Sequence, residues 1–384
     1  MIGHFGEVWQ SFSLTHEIVV ADHDDITLAV RCNGGVIENP IVILFHLAAN
    51  IFQKEGQVFM HEKNKAWIKL PVNLTPPLKC YLTQALPLSI ILAENDQYFP
   101  FLYNYFYFFI SRTNIENLFR LSNSNDWFFY NSGIFEINII NLPVQVIKPD
   151  TIINIMEKMF LHGYYPVGDF NEKYIPAFSS YGQRDFIHPF LVNGCNRSKC
   201  SISILGYHRD GKYREISINI NDFYNAVTNC KKNPNMFLMY FFRINKKFKG
   251  NHFDYKRFLR KIDDYINSDE ACDYGIGANI KLVEYIKSCR DYVDIRYVYV
   301  FYEHKYFMLE RLKYLKSISL LKNEQIIKEF EILVKICETL KPLALKYNIT
   351  RQATIVDRML EIINSINEEE MLLFRTLLAF QIGG

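Results

Sequence analysis

The chain has 384 residues, enough for two or three compact units, and 49% of them are hydrophobic against 22% charged, which excludes a disordered chain. A formal charge of +2 gives no electrostatic case for nucleic acid or an anionic membrane as partner. The 31 Phe and 25 Tyr predict a large aromatic core or an aromatic-lined groove.

No run approaches the ~18 apolar residues that a membrane span needs. The nearest, "YFPFLYNYFYFFI" (98–110), is broken by Asn104. The opening "MIGHFGEVWQ" lacks the basic and apolar regions of a secretory signal. With eight scattered cysteines, this predicts free thiols in a reducing cytoplasm. Cys195 and Cys200 have His188 and His208 nearby. Their x4 spacing, without a second cysteine pair, does not make a tetrahedral zinc set, so no metal is assigned.

In chain order, "HEIVVAD" and "DITLAVRC" predict adjacent strands, and Asn39–Pro40 predicts the entrance of a helix over 39–52. His46 and His61 have no partners at a telling spacing and are read as structural. Residues 71–130 read mainly as helix, with Asn73 or Thr75 as cap, a proline entrance and Cys80 in the first turn. Pro87 predicts that this helix is short or kinked.

From about 134 to 220 the pattern is short β-rich runs, among them "FIHPFLVNGCN" and "KCSISILGYHRDG", with Asp-Gly marking a hairpin. Within this block "DTIINIMEKMFLHG" predicts a helix capped by Asp150 and ended by Gly163. After about 221 the chain turns helical. Ile326, Phe330, Leu333, Cys337 and Leu340 form one stripe, which makes Cys337 core. "NEEEMLLFRTLLAFQIGG" predicts a last helix starting at a capping Asn367.

Two residues carry the chemistry. A thiol is a nucleophile only as thiolate, and a helix N-terminus favours the anion, so Cys80 is the candidate nucleophile. His188 opens the apolar run expected to be a central strand, which makes it the candidate base. Inert packing for Cys80 and a structural role for His188 are the competing readings. Glu303, His304, Lys305 and Arg311 predict an ion-pair network holding the helical half to the sheet. Cys195 lies seven positions along the strand from His188, too far for contact.

The segments "FIHPFLVNGCNRSKCSISILGYHRDGKY", "HGYYPVGDFNEKYIPA" and "DIRYVYVFYEHKYFMLERLKYL" resemble, in that arrangement, papain-fold proteins related to the bacteriocin-processing cysteine peptidases. The likeness is to the butirosin biosynthesis protein H-like group of nonribosomal peptide and aminoglycoside gene clusters, over roughly residues 71–345. The resemblance implies an α+β fold: a papain-like core of helices on an antiparallel sheet, followed by an all-helical C-terminal region. The expected boundaries are a mixed extension at 1–70, a Cys/His core at 71–230 and helices at 231–384.

It further implies Cys80 as nucleophile and His188 as base. Where the group has glycine–Tyr–Asp, this chain has Gly194, Cys195 and Asn196, which puts Asn196 in the orienting position ahead of Asp169 and Asp185. An oxyanion hole would use the Cys80 N–H and the amide of Asn73. The implied activity is transfer of an acyl or aminoacyl group from a carrier-protein phosphopantetheine arm to a small amine or peptide, with no bound cofactor. Hydrolysis by the same pair, or non-catalytic binding of a carrier protein or peptide, are the alternatives.

Overall fold

The computed structural model describes residues 17–21, 27–32, 35–37, 67–94, 98–105, 110–113, 119–122, 129, 132–230, 235–248 and 252–382. The helix expected over 39–52, with His46 and His61, lies outside them. The protein is mixed α+β, with a seven-stranded antiparallel sheet and a helical C-terminal region. It divides into two units: residues 1–70 with 137–243, and residues 71–136 with 244–384.

In the first unit, β1 (Glu17–Ala21) and β2 (Thr27–Cys32) pair antiparallel as the two β-rich runs predict, and β3 (Gly35–Ile37) adds a third strand beside β2. In the second unit, β5 (Ile110–Thr113) and β6 (Phe119–Ser122) pair separately.

The large sheet contains β4 (Ile68–Lys69), β7 (Phe135–Pro143), β8 (Tyr165–Asn171), β9 (Ile187–Asn196), β10 (Ser201–Tyr207), β11 (Tyr213–Asn219) and β12 (Met236–Ile244). Its order is β11-β10-β9-β8-β12-β7, with β4 added beside the second half of β9. The run "IHPFLVNGCN" is thus a central strand, buried continuously from Phe190 to Asn196. The β10–β11 hairpin turns where Asp-Gly predicts, with Gly211 at φ +76°.

One face of this sheet packs on helices Pro149–Leu161 and Ile220–Thr228. Phe190 stands at its centre, 5.3 Å from Phe170 and edge-on to Phe223 at 5.1 Å. The first of these helices is capped by Lys148, with Pro149 leading, so Asp150 lies inside the first turn rather than at the cap.

The second unit is helical from residue 255 onward. Side chains of Asp254, Asp294 and Asn323 accept from the backbone N–H of Arg257, Arg296 and Gln325, each opening a helix. The Ile326–Leu340 stripe is buried as predicted, Cys337 included. The last helix differs from expectation. It runs unbroken over Ala353–Ile382, with Asn367 in its buried interior rather than at a cap, since no proline or glycine interrupts it.

Two of the expected boundaries differ from the observed units. Residues 71–136, expected with the sheet, belong to the helical unit. There the buried Arg311 side chain donates to the Tyr103 carbonyl at 2.9 Å, and Asn104 donates to the His252 carbonyl at 2.5 Å. Residues 231–243 conversely belong with the sheet, because β12 pairs β8. Helix Leu82–Glu94 continues past Pro87, which lies inside it, so of the two expectations for this helix the early stop is not met.

Candidate catalytic site

β8 and β9 pair antiparallel with Phe170 opposite His188. Side chains two apart share a sheet face, so the residue two beyond Phe170 is the diagonal neighbour of His188. That residue is Glu172. Asn171 shapes the turn that holds it: its Oδ1 accepts from the backbone N–H of Lys173 and Phe186, and its amide donates to Asp185 at 3.0 Å. The Glu172 N–H donates to the Phe186 carbonyl at 2.9 Å.

The Glu172 carboxylate then lies 2.6 Å from His188 Nδ1. Its side chain is 5% exposed and that of His188 is 34% exposed. The Phe186 ring closes on the imidazole at 4.4 Å. A carboxylate at Nδ1 keeps a proton there, which leaves Nε2 as the acceptor in the neutral ring. Among the described residues, Nε2 has no hydrogen-bond partner. Such an arrangement can serve as a general base oriented by a buried acid.

Asn196 does not fill the orienting role expected of it. It lies at the far end of β9, eight residues from His188, or about 26 Å at the rise of an extended strand. Its Oδ1 instead accepts from Ser198 and from the Lys199 N–H, shaping the β9–β10 turn. Asp169 pairs opposite Pro189 and so points to the other face. Asp185 is held by Asn171 and by Lys173 at 3.6 Å. Glu172 stands in the quoted segment "GDFNEKYIPA". Its only sequence signal was an acid just past a strand, which needs the β8–β9 register to acquire meaning.

Cys80 belongs to the helical unit and His188 to the sheet unit. Helix Leu82–Glu94 begins two residues after the cysteine, outside the first turn where it was expected. From helix Ile295–Ser317, Glu303 Oε1 accepts the backbone N–H of both Lys79 and Cys80, each at 2.9 Å. The Cys80 thiol donates to the Arg296 carbonyl at 3.4 Å.

Burial, and after it the Glu303 carboxylate, pushes the Cys80 thiol well above its ordinary range, against the opposing pull of Arg296. The thiolate expected from a place in the first turn is therefore disfavoured at this position. Glu303 is itself pushed up to about 7 by burial, although both N–H groups and then Lys79 and Lys341 favour its anion.

The expected oxyanion hole is thus occupied, since the Cys80 N–H already has a carboxylate oxygen. The Asn73 side chain turns to its own neighbour, with Oδ1 accepting the Thr75 N–H at 2.7 Å and the Thr75 hydroxyl at 3.2 Å.

The described pairs of the remaining polar cluster lie within the helical unit, where a network reaching the sheet was expected. Lys305 meets Glu370 at 2.5 Å with neither side chain exposed, and Tyr265 donates to the same carboxylate oxygen at 2.8 Å. His304 stacks on Tyr265 with 5.4 Å between ring centres. Cys195 is buried and Cys200 exposed. Among the described residues no group of three or more His, Cys, Asp or Glu is placed to hold a metal ion, and no helix is long and apolar enough to cross a membrane. No model of a known protein family matches the chain, and no curated protein matches it.

Proposed function

We propose that the chain is a cysteine-dependent acyltransferase built on a papain-like plan, acting in nonribosomal peptide-type biosynthesis. Cys80 accepts an acyl or aminoacyl group from the phosphopantetheine thioester of a carrier protein and passes it to an amine. The observation that carries this reading is the 2.6 Å contact between Glu172 and His188 Nδ1, which leaves Nε2 open as a base.

The raised pKa of the thiol makes such a base necessary, since little thiolate exists at rest. His188 takes the Cys80 proton as sulfur attacks the thioester carbonyl. The carbonyl closes again, the carrier thiolate leaves and the proton passes to it. An amine then attacks the acyl-enzyme, gives its proton to His188, and the Cys80 thiol is restored. Glu172 keeps the imidazole in the productive tautomer and supports its cation throughout.

The test is intact-mass measurement of the full chain mixed with an acyl-loaded carrier protein. The expected result is a mass increase of one acyl group on wild type, none on Cys80→Ala, and a much slower increase on His188→Ala. No adduct on wild type, or equal amine acylation by wild type and Cys80→Ala, overturns the proposal.

One observation favours a second reading, non-catalytic binding of a carrier protein or peptide. The Cys80 N–H and S–H are both satisfied inside the helical unit, as in an inert thiol. Iodoacetamide at neutral pH separates the two. Under the binding reading Cys80 reacts no faster than the other thiols, with or without carrier. Under the acyl-transfer reading the acyl-loaded carrier protects Cys80 selectively.

A further inference from the structure

Two successive backbone N–H groups, of Lys79 and Cys80, converge on one oxygen of Glu303 at 2.9 Å each. Such a pair forms a concave site for an anionic oxygen. It lies at the backbone of the very residue whose sulfur would carry an acyl group. The oxygen now in it belongs to a carboxylate that is 3% exposed and whose second oxygen, Oε2, has no hydrogen-bond partner among the described residues. A buried carboxylate with one oxygen unsatisfied is a costly arrangement for a merely structural cap. Elsewhere in this unit caps are made by side chains next to the helix they open, as at Asp254 and Asn323. Glu303 instead reaches the segment from 223 residues away.

We propose that the Lys79/Cys80 N–H pair is the oxyanion site of the acylation step, and that Glu303 is a gating residue filling it at rest. As the Cys80 sulfur bonds to the acyl carbon, the carbonyl π pair moves onto oxygen. That oxygen takes the place of Glu303 Oε1 on the two N–H groups. When the carbonyl re-forms, the bond to the leaving thiolate breaks, and the thiol proton, removed by the base, ends on the leaving sulfur. The carboxylate returns once the oxyanion is gone. Glu303 thereby opposes the reaction twice, by occupying the donors and by disfavouring the thiolate beside it. The inference deepens the acyltransferase reading and rests on Cys80 being acylated.

The test compares two reagents on the full chain, with modification at Cys80 counted by peptide mass. S-acetyl-N-acetylcysteamine acylates sulfur through a tetrahedral oxyanion. Iodoacetamide alkylates it by direct displacement and forms none. Both rates sense the thiolate fraction, so their ratio isolates the oxyanion site.

In Glu303→Ala the ratio of acylation to alkylation is expected to rise at least tenfold over wild type, since a single oxyanion donor is worth about 10²–10³ in rate. In Glu303→Gln, which keeps an oxygen for the N–H pair but no charge, a rise of about threefold is expected. That variant decides the matter if the alanine protein does not fold. A ratio unchanged in Glu303→Gln, or in a folded Glu303→Ala, overturns the gate. Failure of the carrier-dependent reaction with a raised ratio would sink the acyltransferase reading and leave the oxyanion site standing.

Discussion

The two units treat their candidate catalytic side chains in opposite ways. In the sheet unit, Glu172 satisfies one nitrogen of His188 and leaves the other open, with a third of the side chain exposed. In the helical unit, Cys80 has its N–H on Glu303, its S–H on Arg296 and its pKa driven up by burial. The first is poised by one contact and the second is restrained by several. The same residue type, a buried glutamate, produces both results. Beside an imidazole it supports the cation that forms, whereas beside a thiol it opposes the anion that must form.

The sharpest way to break this contrast is to remove the poised group. His188→Ala is expected to lower acyl transfer by 10²–10⁴-fold with little change in thermal unfolding, and equal rates would remove the imidazole from the chemistry. Glu172→Gln keeps a hydrogen-bonding oxygen but loses the charge. It should lower the measured acyl-transfer rate about 10³-fold.

The restrained side is expected to answer in stability rather than rate. Glu370→Ala leaves Lys305 buried without its counter-charge and should cost about 3–5 kcal/mol in a denaturant titration. Replacing both residues with apolar ones should cost far less than the separate losses summed.

Glu303 gives a signed pH effect. Its folded value of about 7 lies above the 4.5 of a free carboxyl. The buried acid therefore stabilises the fold fully below about pH 4.5, and that contribution is lost as pH rises through about 7. The loss is at most about 3 kcal/mol. Glu303→Gln should flatten the profile in that window, and an identical profile would rule out its titration there. The smallest effect belongs to Asn196→Ala, about 1 kcal/mol through the turn it caps and none on the rate.

The parts of this molecule legible in its sequence were those in which neighbouring residues decide the structure. The central strand at 187–196, the Asp-Gly hairpin and the Ile326–Leu340 stripe each follow from local pattern. His188 stood out because it heads an apolar run. Its acid did not, because Glu172 becomes a neighbour only through the β8–β9 register. Asn196 was attractive by motif, yet the rise of the strand carries it out of reach. Cys80 was read from local signals, prolines and an approaching helix, while its environment is set by Glu303 and Arg296, more than 200 residues downstream. Local pattern names a side chain, but its electrostatics come from distant chain segments.

The helical unit is discontinuous in sequence, begun by residues 71–136 and resumed at 244 after the sheet segment. A ribosome therefore delivers the strands over 137–243 before the helices that complete the earlier piece exist. Arg311, which grips the Tyr103 carbonyl, emerges some two hundred residues after its partner. Until then the aromatic helix Phe99–Tyr105 must wait for its cover. A newborn chain is thus exposed to sticking through that stretch, and stalled or truncated products should be the ones that chaperones hold.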